Sequence, residues 1–159
     1  MANYPFHDIN MLAITRMVEI DGHSGRLYRV CCAFGSTRLL DRIWEKSDPE
    51  REKGSSWSPC QYLRSDLHYY RYQFTKSLLA AVKRADLDMV RWILAHFSRC
   101  TAGADAVEEA AFGGQMQMLL TLLNDTRNCV VRGRDDMARA IEGGHSDLAR
   151  WLYWTLQRK

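Results

Sequence analysis

The sequence lacks the features that mark several classes of protein. No apolar run approaches the roughly 18 residues that a membrane-spanning helix needs. There is no glycine-rich phosphate loop and no H-E-x-x-H pattern, so neither nucleotide binding nor zinc hydrolysis is indicated. The N-terminus does not resemble a signal peptide, because Asp8, Arg16 and Glu19 interrupt its apolar stretch. We therefore expect no membrane span, no cofactor and no catalytic residue.

Concentrated positive charge is missing as well. The 22 Lys and Arg residues are spread along the whole chain, and the formal net charge is only +3. A non-specific nucleic-acid binder needs a dense field of cations to displace counterions from phosphates. The even distribution therefore argues against such a binder.

Cysteine usage argues against disulfides and metal. The five cysteines are odd in number and show no C-x-x-C spacing: Cys31, Cys32, Cys60, Cys100 and Cys129. Thiols of this kind are typical of small buried hydrophobic residues in a reducing compartment, so we expect an intracellular protein. His96 and Cys100 lie four apart and could supply two ligands on one helical face, but a structural zinc site needs four. We expect no metal site.

The sequence does contain an internal repeat. The segment that begins at Leu78 matches a second segment at an offset of 29 residues and a third after a further 30. Self-similarity at such a period is the signature of stacked units, each of which buries its apolar face against its neighbours. The matched positions, which we call columns, include Leu78/Val107/Met137, Ala81/Ala110/Ala140 and Val82/Ala111/Ile141 in the first helix of each unit, and Met89/Met118/Leu148, Val90/Leu119/Ala149 and Ile93/Leu122/Leu152 in the second. We expect these columns to form the core, and we expect no strand in the second half of the chain.

The repeat fixes the predicted domain organisation. We expect one all-α domain, residues 1–159, built from about four stacked helix pairs. Its parts are a capping helix at 1–21, a degenerate repeat at 26–46, an insertion at 47–73 and repeats at 74–103, 104–132 and 133–157. The insertion is predicted to be a solvated loop followed by a short amphipathic helix over about 62–72. Gly113-Gly114 and Gly143-Gly144 are predicted to turn the chain between paired helices.

The repeats resemble the divergent ankyrin-type units abundant in oomycete proteins, which read roughly A-x-x-x-A-A-x-N-G-H-L-x-V-V-x-W-L. The segment 138–152, which includes Gly143-Gly144-His145 and Trp151-Leu152, follows this pattern most closely. The resemblance covers 74–157 clearly and 26–46 weakly. It implies an ankyrin-like solenoid that binds another protein, and a pathogen effector that acts on host immunity inside the host cytoplasm or nucleus after loss of a leader. The T-P-L-H start of ankyrin repeats is absent, and the period falls short of 33, so we expect short hairpin loops.

We expect partner binding at columns whose side chains do not pack in the core of the stacked units. The columns Lys83/Phe112/Glu142 and Ala80/Glu109/Arg139 change chemistry from unit to unit on the face that ankyrin-like arrays turn towards ligands. The candidate partner-binding residues are Lys83, Arg84, Glu109, Phe112, Arg139 and Glu142. Phe112, an aromatic among charges, is either a binding hot spot or a side chain tucked under the neighbouring loop.

Several alternatives remain open from the sequence. Tyr153 and Trp154 either fold back as a cap or form a contact for a dimer or a partner. Trp92 and Trp151 share a column and are expected to pack in the second helix, and His145 is expected to hydrogen-bond near a helix start. A nucleic-acid reader would need Arg132, Arg134, Arg139 and Lys83 to converge. A self-assembling structural protein would use Trp154 and the Tyr62–Tyr72 segment.

Overall fold

The computed structural model describes Cys32, residues 35–48 and residues 62–157. The predicted capping helix at 1–21, most of the first helix of the degenerate repeat and the loop of the insertion lie outside these residues. The described part is mostly helical, which confirms the all-α class. Its helices are α1 (Thr37–Lys46), α2 (Tyr62–Ser65), α3 (Leu67–Lys83), α4 (Leu87–His96), α5 (Ala104–Phe112), α6 (Met116–Leu123), α7 (Asp136–Glu142) and α8 (Ser146–Gln157), and its strands are β1 (Thr101–Ala102) and β2 (Cys129–Val130). In this part of the chain, no helix has the length and apolar character needed to cross a membrane.

The last six helices form three consecutive pairs, α3 with α4, α5 with α6 and α7 with α8. The first helices of the pairs also pack side by side, α3 against α5 and α5 against α7. The small-residue column Ala81, Ala110 and Ala140 is fully buried, and side chains of this size allow neighbouring helix axes to approach closely. The core therefore continues from one pair to the next.

The turns between paired helices share one backbone conformation. Ala85, Gly114 and Gly144 occupy the same column and have φ angles of 55°, 66° and 82°. Glycine adopts this left-handed region freely, whereas a side chain makes it costly. The predicted glycine turns are thus present, and the unit of α3 and α4 makes the same turn with Ala85.

The prediction of a separate short helix at the end of the insertion is wrong. The segment from Tyr62 forms the single turn α2, and α3 then runs without interruption from Leu67 to Lys83. Asp66 separates the two helices, because its Oδ1 accepts a hydrogen bond from the Tyr69 backbone N–H at 2.7 Å and so caps the start of α3. Neither glycine nor proline occurs within α3 to end it. The second half of the insertion is therefore the beginning of the first helix of the next unit.

The expectation of no strand in the second half is also wrong. The strands β1 and β2 pair in parallel, with Thr101 opposite Cys129 and Ala102 opposite Val130. The Cys129 N–H donates to the Cys100 carbonyl at 2.8 Å, and the Val131 N–H donates to the Ala102 carbonyl at 3.1 Å. Equivalent loops of stacked units run in the same direction, so a short extended stretch in each can pair in parallel. Two residues are too few to give an alternating sequence pattern.

One column that was predicted to be buried is exposed in the last unit. Val82 and Ala111 are fully buried, but Ile141 in the same column is 64% exposed. The reason is positional: α3 and α5 are each followed by another first helix, whereas no further first helix comes after α7 in the described part of the chain.

Polar side chains in the loops tie successive units together. Asn128 Nδ2 donates to the Phe97 carbonyl at 3.1 Å, and its Oδ1 accepts from the Cys100 N–H at 3.1 Å. The Arg127 guanidinium donates to the carbonyl of Ala95, near the end of α4. The loop after α6 thus satisfies backbone groups that the end of α4 leaves without intrahelical partners.

Candidate protein-binding surface

The fold aligns the predicted surface along one edge of the first helices. Lys83 is the last residue of α3, Phe112 of α5 and Glu142 of α7, and all three are exposed. Because α5 lies between α3 and α7, these three helix ends succeed one another at the usual helix spacing of about 8–10 Å. The column therefore spans roughly 20 Å, as estimated from that spacing.

Phe112 stands at the centre of this edge and is not tucked away. Its side chain is 38% exposed, and the Arg139 guanidinium carbon lies 4.4 Å from the ring centroid. Arg139 Nη1 in turn donates to Glu142 Oε2 at 2.5 Å. The three side chains form a connected Phe112–Arg139–Glu142 group, which crosses from the second unit to the third. A cation held over a ring at an exposed site contributes about 0.5–1 kcal/mol.

Close backbone contact brings the ends of α5 and α7 together. A Cβ added to Gly143 would collide with the Phe112 carbonyl oxygen, so only glycine permits this approach. At the neighbouring position, a Cβ added to Gly114 would lie 2.5 Å from Cε1 of His145. The imidazole of His145 therefore packs over the turn of the preceding unit. Gln115, in the same column as His145, reaches back likewise and donates from Nε2 to the Val82 carbonyl at 3.3 Å.

The other candidate residues are less closely grouped. Glu109 is partly buried on α5. The Arg84 guanidinium lies towards the preceding unit, where its Nη2 would be 3.1 Å from a Cβ added to Gly35. The structure thus joins Phe112, Arg139 and Glu142 directly, and it places Arg84 beside the turn before α1.

Tyr153 and Trp154 are 47% and 57% exposed, respectively. Their ring centroids are 5.6 Å apart at an interplanar angle of 75°, so the two side chains pack edge to face near the end of α8. Between the two sequence alternatives, this exposure favours a contact surface over a cap.

Sequence reasoning missed an aromatic cluster between α1, α3 and α4. Trp92 is nearly buried, as its column predicts, and its Nε1 donates to Asp41 Oδ1 at 2.7 Å. The His96 ring stacks on Trp92 at 3.8 Å, and Trp44 meets the Trp92 ring edge to face at 5.9 Å. The Arg64 guanidinium covers Trp44 at 4.8 Å from the ring centroid. Trp44 belongs to the degenerate repeat, whose weak match to the other units did not indicate a role for this side chain. The cluster joins the degenerate repeat to the unit of α3 and α4.

The chemistry of the thiols and histidines favours a structural role. Burial raises the pKa of Cys32 and of Cys100 to about 11, so both thiols are poor nucleophiles and poor metal ligands at neutral pH. His96 Nδ1 lies 2.8 Å from the Trp92 carbonyl, to which it must donate. Cys129, the repeat counterpart of Cys100, is exposed instead. Among the residues that the structure describes, no three His, Cys, Asp or Glu side chains are grouped to hold a metal ion.

The cations that a nucleic-acid reader would need do not form one surface group. Arg132 is mostly buried and donates from Nε and Nη2 to Asp136 Oδ2 at 2.9 and 2.7 Å, a carboxylate that is itself fully buried. Arg139 is held by Phe112 and Glu142. Two of the four side chains in that alternative are therefore committed to contacts within the chain.

Comparisons of the chain with protein-family models, curated proteins and solved structures found no significant match. A functional assignment therefore depends on the geometry of the chain itself.

Proposed function

We propose that the chain is an ankyrin-like solenoid that acts as a non-catalytic protein-binding module, with the Phe112–Arg139–Glu142 group as its central contact. The observation that carries this proposal is the exposed Phe112 ring, held in place by Arg139 at the seam between two packed helices. Side chains on packed helices are ordered before binding, so a partner does not need to order them, and this lowers the entropic cost of association.

The composition of the surface matches that of typical protein interfaces, in which central residues supply most of the affinity and charged residues around them supply specificity. An aromatic anchor near the centre supplies most of the binding free energy, and charged neighbours form a rim that excludes water and selects the partner. Phe112 is the anchor in this proposal. Lys83, Glu109 and Glu142 form the rim, and Arg139 both supports the anchor and presents positive charge.

The resemblance to oomycete-type repeats extends the proposal to the kind of partner. We propose a protein of a host cell as the target, with the module acting in the host cytoplasm or nucleus to modulate immunity. The side-by-side packing of α3, α5 and α7 and their shared turn conformation support the solenoid, and the buried thiols support a reducing compartment.

The test is affinity purification from candidate host cells with the wild-type chain, Phe112→Ala and Leu67→Ala. Leu67 is a matched control, because it is also an exposed apolar side chain but lies at the far end of α3. We expect a protein that is recovered by wild type and by Leu67→Ala and is lost with Phe112→Ala. Titration calorimetry with that purified protein should then give an affinity at least about 10-fold weaker for Phe112→Ala, as for a hot-spot residue.

Equal recovery of the same protein by all three chains would refute the proposal that Phe112 anchors the binding surface. Calorimetry at low and high salt, with the purified protein and separately with duplex DNA, separates the proposal from nucleic-acid binding. A protein partner anchored on Phe112 should lose little affinity as salt rises, whereas binding to phosphates falls steeply with salt.

A further inference from the structure

The charges on the outer side of the first helices are sorted by helix. Helix α3 contains no Asp or Glu, and α5 contains no Lys or Arg. Lys76 and Lys83 are exposed on α3. On α5, Asp105 is exposed and Glu109 is partly buried. A basic strip on α3 therefore borders an acidic strip on α5.

The two strips lie on the same side of the stack as Phe112. Lys76 and Lys83 are seven residues apart, and Asp105 and Glu109 are four apart, so each pair shares one side of its helix. Lys76 and Asp105 are counterparts in the repeat, as are Lys83 and Phe112. Since α3 packs against α5, the strips are separated by the usual helix spacing of about 8–10 Å.

These charges are not neutralised by neighbouring side chains. In the described part of the chain, no ion pair includes Lys76, Lys83, Asp105 or Glu109. Helix dipoles account for Lys83 in the last turn of α3 and for Asp105 in the first turn of α5. They do not account for Lys76 and Glu109, which lie in the helix interiors, because the effect is confined to the terminal turns.

We propose that the partner segment bound around Phe112 carries charges of both signs in a fixed order: carboxylates over α3, and a lysine or arginine over α5. The inference rests on the proposed function and specifies the chemistry and the orientation of the partner. Charge complementarity supports it, because like charges placed opposite each other oppose binding and so exclude the reversed orientation. A polyanion such as nucleic acid does not fit, since its phosphates would also lie against Asp105 and Glu109.

The third helix leaves this order unchanged. Arg139 and Glu142 on α7 pair with each other, so the contrast in charge is between α3 and α5. Few charges of either sign are involved, and the pattern therefore agrees with the weak salt dependence expected above.

The first test selects peptides from a random library of short linear peptides displayed on phage. Wild type and Phe112→Ala are the baits, and peptides that bind wild type alone are retained, because they depend on the proposed anchor. In an extended peptide, the distance between the strips corresponds to about three residues. We expect the retained peptides to be enriched in sequences with Asp or Glu about three positions from Lys or Arg. Retained peptides without this enrichment would overturn the inference.

The second test measures the affinity of retained peptides by titration calorimetry for the charge-reversed chain Lys76→Glu/Lys83→Glu. Arg91→Glu/Arg150→Glu is the matched control, because it changes the net charge equally at exposed side chains of α4 and α8. We expect binding to be at least about 10-fold weaker for the first chain and to change less than about 2-fold for the control. A peptide whose acidic residues are replaced by lysine should regain affinity for the charge-reversed chain and lose it for wild type. Circular dichroism checks that each variant is folded, which is expected because all four side chains are exposed.

The experiment separates failure of this inference from failure of the proposed function. If every selected peptide binds wild type and Phe112→Ala alike, the surface around Phe112 is refuted, and the charge order with it. If peptides that depend on Phe112 bind Lys76→Glu/Lys83→Glu as tightly as wild type, or lose equal affinity with the control, the proposed function stands and the charge order is wrong.

Discussion

Replacing Ala85 by glycine should stabilise the chain by about 0.5–1 kcal/mol, since it relieves backbone strain. Ala85 has a φ of 55° and occupies the turn position where the next two units have glycine. A non-glycine residue in this region costs about 1–2 kcal/mol. Glycine removes that strain but adds about 0.4–1 kcal/mol of conformational entropy to the unfolded chain, so the net gain is smaller than the strain. For a chain of this length, the midpoint of thermal unfolding should rise by about 1–4 °C.

Urea denaturation followed by circular dichroism measures this change, and the repeat supplies matched comparisons. Gly144→Ala should destabilise the chain by about 1 kcal/mol through backbone strain alone, since no atom lies within 4 Å of the added Cβ. Gly114→Ala should cost more, because its Cβ also meets the His145 ring at 2.5 Å. Adding His145→Ala to Gly114→Ala should recover the extra cost.

Ala80→Gly, inside α3, is the control for glycine itself and should destabilise by about 1 kcal/mol because glycine is a poor helix former. If Ala85→Gly destabilises the chain as Ala80→Gly does, position 85 is not strained and the shared turn conformation is wrong. A neutral effect of Gly144→Ala would refute the same reasoning at the third unit.

Three further predictions concern polar and titrating groups. Asn128→Ala should cost about 2–3 kcal/mol in urea denaturation, because the Phe97 carbonyl and the Cys100 N–H lose their partner; the exposed Asn124→Ala should stay within about 0.5 kcal/mol of wild type. Arg132→Met should cost about 3–5 kcal/mol, since it leaves the buried Asp136 carboxylate without its partner, and adding Asp136→Leu should restore most of that loss. The folded-state pKa values of Cys32 and Cys100 are raised from 9.0 to about 11, so the free energy of unfolding should be constant below pH 9 on their account and fall as pH rises from 9 to 11. Titration of the double variant Cys32→Ala/Cys100→Ala should show a smaller fall, and an equal fall would show that other groups cause it.

The sequence predicts the interior of the array better than its ends and loops. The columns at Ala81 and Ile93 can be read from the repeat because each is packed by a neighbour of the same kind, and helix periodicity records that packing. Ile141 has the same sequence character as Val82 but a different environment. Its exposure depends on whether another helix pair packs against α7, and a pattern within the sequence does not contain that information.

The candidate surface was predictable only in part. Phe112, Arg139 and Glu142 could be placed on one edge because residues in neighbouring columns of packed helices lie close together. The direction of Arg84 could not be predicted, because it depends on the turn at Gly35 in a unit of irregular spacing. Asn128 and Trp44 were missed for a related reason. Their partners are backbone groups and rings of other units, and the residues at the matching repeat positions, Arg99 and Leu94, do not share their chemistry.

On the proposed partner surface, Phe112 occupies a position where binding would be coupled to the stability of the last unit. The unit of α7 and α8 is held to α5 by the close approach of Gly143 to the Phe112 carbonyl and by Arg139 over the Phe112 ring. A partner that contacts Phe112, Arg139 and Glu142 together touches both sides of this seam, and it binds well only when α7 is docked on α5. By linkage, such a partner stabilises the docked state in proportion to its affinity for it. Conversely, we expect a change that loosens the last unit to weaken binding at the proposed surface even when Phe112, Arg139 and Glu142 are left in place.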